Sequence, residues 1–120
     1  EAAHEKGQDM DIRRVHDAFA VTGQIGPQDV AAIATSGFKS IVCNRPDTEE
    51  GAVPHDAVEE AARAAGLEFR FLPVVSGSIT RENVEDMAAM LAELPQPVLA
   101  YCRSGTRCLN LYALVQQAAG

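Results

Sequence analysis

The stretch that most limits what this chain can become runs from Pro97 to Cys108. Pro97-Val98-Leu99-Ala100-Tyr101 is an apolar run of strand length, and it passes straight into Cys102. Arg107 follows after four intervening residues, and an apolar helical stretch starts near Thr106 and continues to about Ala118. The spacing predicts a strand, a tight loop and a helix. A cysteine between a strand end and a helix N-terminus faces backbone N–H groups and the positive end of the helix dipole. Both favour thiolate over thiol. Gly105 opens to the loop a backbone conformation closed to residues with a Cβ. Arg103 and Arg107 add fixed positive charge and forked anion donors, and Ser104 and Thr106 add hydroxyls. The segment reads as a nucleophilic sulfur in an anion-binding cradle.

The rest of the chain supplies elements that can carry such a loop. Ile12 to Val15 and Phe19 to Thr22, joined through His16-Asp17, read as a β-hairpin. Pro27 suits the first position of a helix whose apolar face is Val30, Ala31, Ile33 and Ala34, and Gly37 suits its end. Phe38 to Cys43 reads as a buried strand, and Pro46 breaks the loop after it. A helix is expected from Asp56 to Ala65, a strand from Glu68 to Val74, and a third helix after the N-cap Thr80. Met87, Met90, Leu91 and Leu94 form the buried stripe of that helix.

This order predicts an α/β fold: a mostly parallel five-stranded sheet flanked by helices, preceded by an N-terminal β-hairpin. Residues 10–120 form one domain, and residues 1–9 are a polar lead-in. In such sheets functional groups collect beyond the carboxyl ends of the strands. Three polar groups belong there: Asn44-Arg45, Ser76-Gly77-Ser78, and Cys102 to Arg107.

A formal net charge of −7 argues against nucleic acid or an anionic membrane as partner. Against that acidic background, the arginines near Cys102 point to a small anionic substrate. Three cysteines without a C-x-x-C pair fit free thiols in a reducing cytoplasm better than a disulfide framework. No apolar run approaches bilayer-spanning length. His4, His16 and His55 are dispersed and do not suggest a metal site, and no cofactor is implied. Cys43, within an apolar strand, reads as core.

Cys102-Arg103-Ser104-Gly105-Thr106-Arg107 resembles the loops of two groups. One is the tyrosine and dual-specificity phosphatases, whose loop has five residues between Cys and Arg. The other is the rhodanese sulfurtransferases, whose loop is one residue shorter, as here. More specifically, Val21-Thr22-Gly23-Gln24-Ile25, Ile41 to Asp47 and Leu99 to Arg107 resemble the phosphatase-like domain of beta-lactamase hydrolase-like proteins, also labelled a sulfur transferase family. The resemblance covers about residues 10 to 118. It implies a dual-specificity-phosphatase-like fold and a partner or fused domain of persulfide-dioxygenase type.

Two chemistries compete. Phosphatases of this kind place an Asp acid on the loop after the strand ending Leu72-Pro73-Val74. This chain has Val75-Ser76-Gly77-Ser78 there and no carboxylate before Glu82, with Asp47 a candidate from another loop. The short loop and the missing Asp favour a sulfurtransferase. Cys102 would take a sulfur atom from thiosulfate or a small persulfide and pass it to a thiol acceptor such as glutathione. Cys102 and Arg107 would be catalytic; Arg103, Ser104, Gly105, Thr106, Arg45 and Asn44 would bind substrate. The alternatives are a cysteine-dependent phosphatase with a phosphocysteine intermediate and a thiol redox or persulfide sensor. Cys108 stands where both groups usually place Ser or Thr; it reads either as a resolving thiol for Cys102 or as an inert buried one.

Overall fold

The computed structural model describes residues 11–119; the expected lead-in and His4 lie outside the described residues. The elements are β1 (Arg13–His16), β2 (Phe19–Thr22), α1 (Val30–Thr35), β3 (Ser40–Cys43), α2 (His55–Ala64), β4 (Glu68–Phe71), α3 (Arg81–Glu93), β5 (Val98–Tyr101) and α4 (Thr106–Ala119). The five strands form one sheet in the order β1-β2-β5-β3-β4. β1 pairs antiparallel with β2, and every other pairing is parallel. The expected hairpin and α/β sheet are therefore present.

β5 lies at the centre because it is the most apolar strand. All four of its residues are buried, as are those of β2 and β3 on either side. In register, Tyr101 stands beside Thr22 on one side and Cys43 on the other. The chain thus leaves three adjacent strands at one level, at Gly23, Asn44 and Cys102. That common level builds the site.

Alternating side chains divide the core between the two faces. Val42, Val98 and Ala100 pack with Met87, Leu94, Leu111 and Val115, which places α3 and α4 on one face. Ile41, Leu99 and Tyr101 pack with Val30, Ile33, Val58 and Ala62, which places α1 and α2 on the other. Thr80 caps α3 by a reciprocal pair of bonds: Asn83 N–H to Thr80 Oγ1 at 3.0 Å, and Thr80 N–H to Asn83 Oδ1 at 2.9 Å.

Three boundaries differ by more than one residue from the sequence expectation. The helix after Pro27 opens as a 3-10 turn, Pro27–Asp29, and becomes α only at Val30. Asp29 accepts a hydrogen bond from Gly26 N–H at 2.9 Å, which tightens that turn. β3 starts at Ser40 rather than Phe38, because Lys39 N–H is spent on the Pro97 carbonyl outside the ladder. β4 ends at Phe71 because Pro73 has no N–H for a ladder. Leu72 and Val74 still bond the carbonyls of Cys43 and Asn44.

Candidate active site

Cys102 emerges from β5 with its N–H bonded to the Thr22 carbonyl, which ties the start of the loop to the neighbouring strand. Gly105 then turns the chain back at φ +93°, a conformation disfavoured for any residue with a Cβ. The turn aims the Gly105 N–H at the Cys102 sulfur, 3.1 Å away. α4 starts at the next residue, so its dipole also points at the sulfur.

The environment of Cys102 favours the thiolate. The Cys108 thiol donates to its sulfur, and backbone N–H groups of Cys108, Ser104 and Gly105 converge on it. Together they outweigh burial and lower the Cys102 pKa to about 5. Cys108 itself is pushed well above the ordinary range by burial and by the neighbouring thiolate, so it remains a protonated donor. Burial likewise raises Cys43, an inert core thiol. All three cysteines are free.

The loop is braced from two sides. Gln24 N–H bonds the Arg103 carbonyl at 3.2 Å, and Arg13 Nη2 reaches from β1 to the Ser104 carbonyl at 3.0 Å. A Cβ on Gly23 would lie 3.0 Å from the Arg103 carbonyl oxygen, so this close approach suits glycine.

Arg107 projects from the first turn of α4 into a net that spans three loops. Its Nη1 donates to Glu49 Oε2 at 3.0 Å and to the Val74 carbonyl at 2.9 Å, and its Nη2 donates to Glu49 Oε1 at 3.2 Å. Nε is buried without a protein partner. Arg45, 5% exposed, approaches Glu49 from the other side, Nε to Oε1 at 3.0 Å. Its remaining nitrogens bond Gln24 Oε1 at 2.8 Å and the Glu50 carbonyl at 2.7 Å. Partial burial alone would raise the Glu49 pKa. The hydrogen bonds from Arg107 and then Arg45 overcome that and hold it below the usual carboxylate value.

A cleft of about 960 Å³ opens over these groups. Cys102, Arg103, Ser104, Thr106, Arg107 and Arg45 line it, together with Glu49, Glu50, Ser76, Gly77, Ile79 and Asn110. Of the expected site residues, the structure gathers the Cys102–Arg107 loop and Arg45 at one cleft, with Gly105 shaping the loop from beneath. Asn44 is not among the cleft residues: it is buried and donates from Nδ2 to the Leu72 carbonyl at 3.0 Å. Cys108 lies under the loop, buried and hydrogen-bonded to Cys102.

Asp47 also turns away from the cleft. Its carboxylate accepts from His55 Nδ1 at 2.7 Å and from His55 N–H at 2.9 Å, bracing the start of α2. Sequence reasoning missed Glu49 and Arg13. The only local hint for Glu49 is its place four residues after Arg45, and nothing local marks Arg13. Among the described residues no cluster of His, Cys, Asp and Glu could hold a metal ion, and no helix is long and apolar enough to cross a membrane.

Comparison with known proteins shows what the whole arrangement is similar to. Residues 11–119 match the family described as the beta-lactamase hydrolase-like protein, phosphatase-like domain. Over 112 residues the chain is 38% identical to a beta-lactamase hydrolase-like protein of Xylella fastidiosa strain Temecula1, matching 92% of this chain and 26% of that one. The chain therefore spans about a quarter of the length of the curated relatives it matches. A crystal structure from Neisseria meningitidis Z2491, described provisionally as a phosphatase, is 33% identical with a TM-score of 0.81, covering 91% of this chain and 78% of that one. Pseudomonas aeruginosa TpbA, solved in complex with phosphotyrosine, shares the fold at 17% identity and a TM-score of 0.58, over 81% of this chain and 56% of that one.

These findings overturn the expected sulfurtransferase, which rested on loop length and on one missing Asp. The family match over residues 11–119 is to a phosphatase-like domain, and the Neisseria structure is described in the same terms. Physically, the four-residue spacing proved a weak criterion. The shorter loop still converges N–H groups on the sulfur, and Arg107, on the first turn of α4, lines the same cleft. The chain belongs to the phosphatase-like domain family of the beta-lactamase hydrolase-like proteins.

Proposed function

We propose that the domain is a cysteine-dependent phosphatase that works through a phosphocysteine on Cys102. The observation that carries this reading is the convergence of one thiolate-stabilising loop and one anchored arginine on a single cleft. Cys102 attacks phosphorus, the S–P bond forms, and the bond from phosphorus to the leaving oxygen breaks. Loop N–H groups and Arg107 neutralise charge on the equatorial oxygens as it develops. Water then attacks phosphorus, the S–P bond breaks, and thiolate and dihydrogen phosphate are released. The low Cys102 pKa makes the thiolate available as nucleophile and suits it to leave in the second step.

Arg103 and Arg45 at the cleft suit an anionic substrate, drawn from solution by local positive charge within an acidic protein. Ser104 and Thr106 add hydroxyls at the cleft, and Gly105 adds backbone donation. The free thiolate suits a reducing compartment such as cytoplasm.

The test is hydrolysis of 4-nitrophenyl phosphate by wild type, Cys102→Ser and Arg107→Ala. Turnover in wild type, its loss in Cys102→Ser, and a phosphorylated Cys102 trapped by rapid acid quench and seen by mass spectrometry are expected. Equal rates in wild type and Cys102→Ser would dismiss the reading.

A further inference from the structure

The unresolved chemical question at this site is what protonates the leaving oxygen. All but one of the nearby carboxylates are ruled out by position. Glu49 lines the cleft but is pinned between Arg107 and Arg45, which hold it ionised. Asp47 is engaged by His55 and does not line the cleft. Glu82 sits on α3, exposed and away from the cleft. The loop after β4 contributes Ser76, Gly77 and Ile79, none of them an acid. Glu50 lines the cleft, but it is exposed, and among the described residues no hydrogen bond orients its carboxylate toward the Cys102 loop, so it is the one acid left for the experiment to test.

The walls carry a second message. No aromatic side chain is among the cleft residues, and Ile79 is their one large apolar group. A phosphotyrosine ring would find no aromatic face to stack on. Instead, Arg103 and Asn110 line the cleft with the loop residues, and Arg45 stands in its wall, held by Glu49, Gln24 and the Glu50 carbonyl. These groups suit a leaving group that is itself a polar anion.

Resting on the phosphatase reading above, we infer that the site is built for activated phosphoryl donors, acyl phosphates and similar mixed anhydrides, rather than for phosphotyrosine or alkyl phosphate esters. In such a donor the leaving oxygen departs with its electron pair as a carboxylate or phosphate, stable without a proton. The S–P bond forms as the P–O bond breaks, and no general acid takes part. Cationic groups at the cleft stabilise the departing anion by charge alone.

The experiment is a leaving-group series on the intact chain. kcat/KM is measured for 2,4-dinitrophenyl, 4-nitrophenyl and phenyl phosphate and for acetyl phosphate, in wild type, Glu50→Gln and Cys102→Ser. If charge develops fully on an unprotonated oxygen, kcat/KM falls by about tenfold for each unit rise in the leaving group's pKa. Acetyl phosphate then ranks with the most activated ester, and Glu50→Gln leaves the slope as it is. A shallow slope in wild type that steepens in Glu50→Gln would reveal an acid and overturn the inference while leaving the phosphatase reading intact. A shallow slope unchanged in that variant would overturn it as well. Absence of Cys102-dependent turnover, even of the dinitrophenyl ester and acetyl phosphate, would overturn the phosphatase reading and the inference together.

Discussion

Glu49 and Arg107 meet as a two-pronged ion pair, at 3.0 and 3.2 Å, with the Arg107 side chain only 9% exposed. Arg45, also nearly buried, shares the same carboxylate. Removing that charge leaves two guanidinium groups with little water and no counter-charge. Glu49→Gln should therefore destabilise the fold by about 1–3 kcal/mol at pH 7, below the usual cost for a fully buried pair because Glu49 is a quarter exposed. A chemical denaturation midpoint at unchanged slope measures this.

The same pair sets a pH dependence. The Glu49 pKa is lower in the folded state than its ordinary 4.5. Its contribution is therefore present above pH 4.5 and lost as pH falls through the folded value. The stability gap between wild type and Glu49→Gln should be widest near neutrality and should narrow below about pH 4. Denaturation curves at pH 7, 5 and 3.5 check the sign; a gap that grows on acidification contradicts the assignment.

Cys102 should alkylate with iodoacetamide at a rate that is half-maximal near pH 5, the pKa given by its hydrogen bonds. Cys108→Ala removes the first of those donors. A hydrogen bond to a charged group contributes about 1.5–3 kcal/mol, so the midpoint should rise by about one to two pH units. Cys108→Ser keeps a donor and should leave the midpoint near wild type. A midpoint that ignores Cys108→Ala would assign the thiolate to the backbone N–H groups alone.

Gly105→Ala places a Cβ at φ +93°, 2.5 Å from Arg13 Nη2 and 3.3 Å from the Thr22 carbonyl carbon. The arginine tip can move, but the Thr22 backbone cannot without disturbing β2. The variant should lose about 1–3 kcal/mol of stability and at least tenfold in the Cys102 alkylation rate at pH 6. Adding Arg13→Ala should relieve only the contact with the arginine, so the double variant should remain impaired.

Thr80→Ala removes the cap of α3, on the helix layer that supports the sheet but does not line the cleft. About 1 kcal/mol of stability should be lost with the alkylation profile of Cys102 unchanged. This variant separates global stability from site geometry.

Much of the site was legible because its chemistry is local. The turn at Gly105, the helix start at Thr106 and the sulfur between them lie within a few residues, and short-range backbone geometry sets them. The alternating strands and helices were legible for a related reason. Val42, Leu99 and Ile33 repeat with the period of the element that buries them. The start of β3 was not, because Lys39 N–H finds the Pro97 carbonyl far along the chain; the end of β4 was marked locally by Pro73 and was overrun. The reaction was misjudged where a count of loop residues stood in for the geometry of the loop.

The sequence by itself determined the sheet, its hairpin, and a cysteine poised as thiolate at a helix start, since propensity, apolar period and glycine conformation act over neighbouring residues. Only the tertiary structure decided which charges reach that cysteine. Arg107 finds Glu49 across 58 residues, and Arg13 finds Ser104 across 91. Asn44 is drawn into the interior, and Asp47 is turned toward His55. Such pairings depend on strand order and register, which bring distant loops to one edge of the sheet. No local pattern encodes them, because they form only after the core has packed.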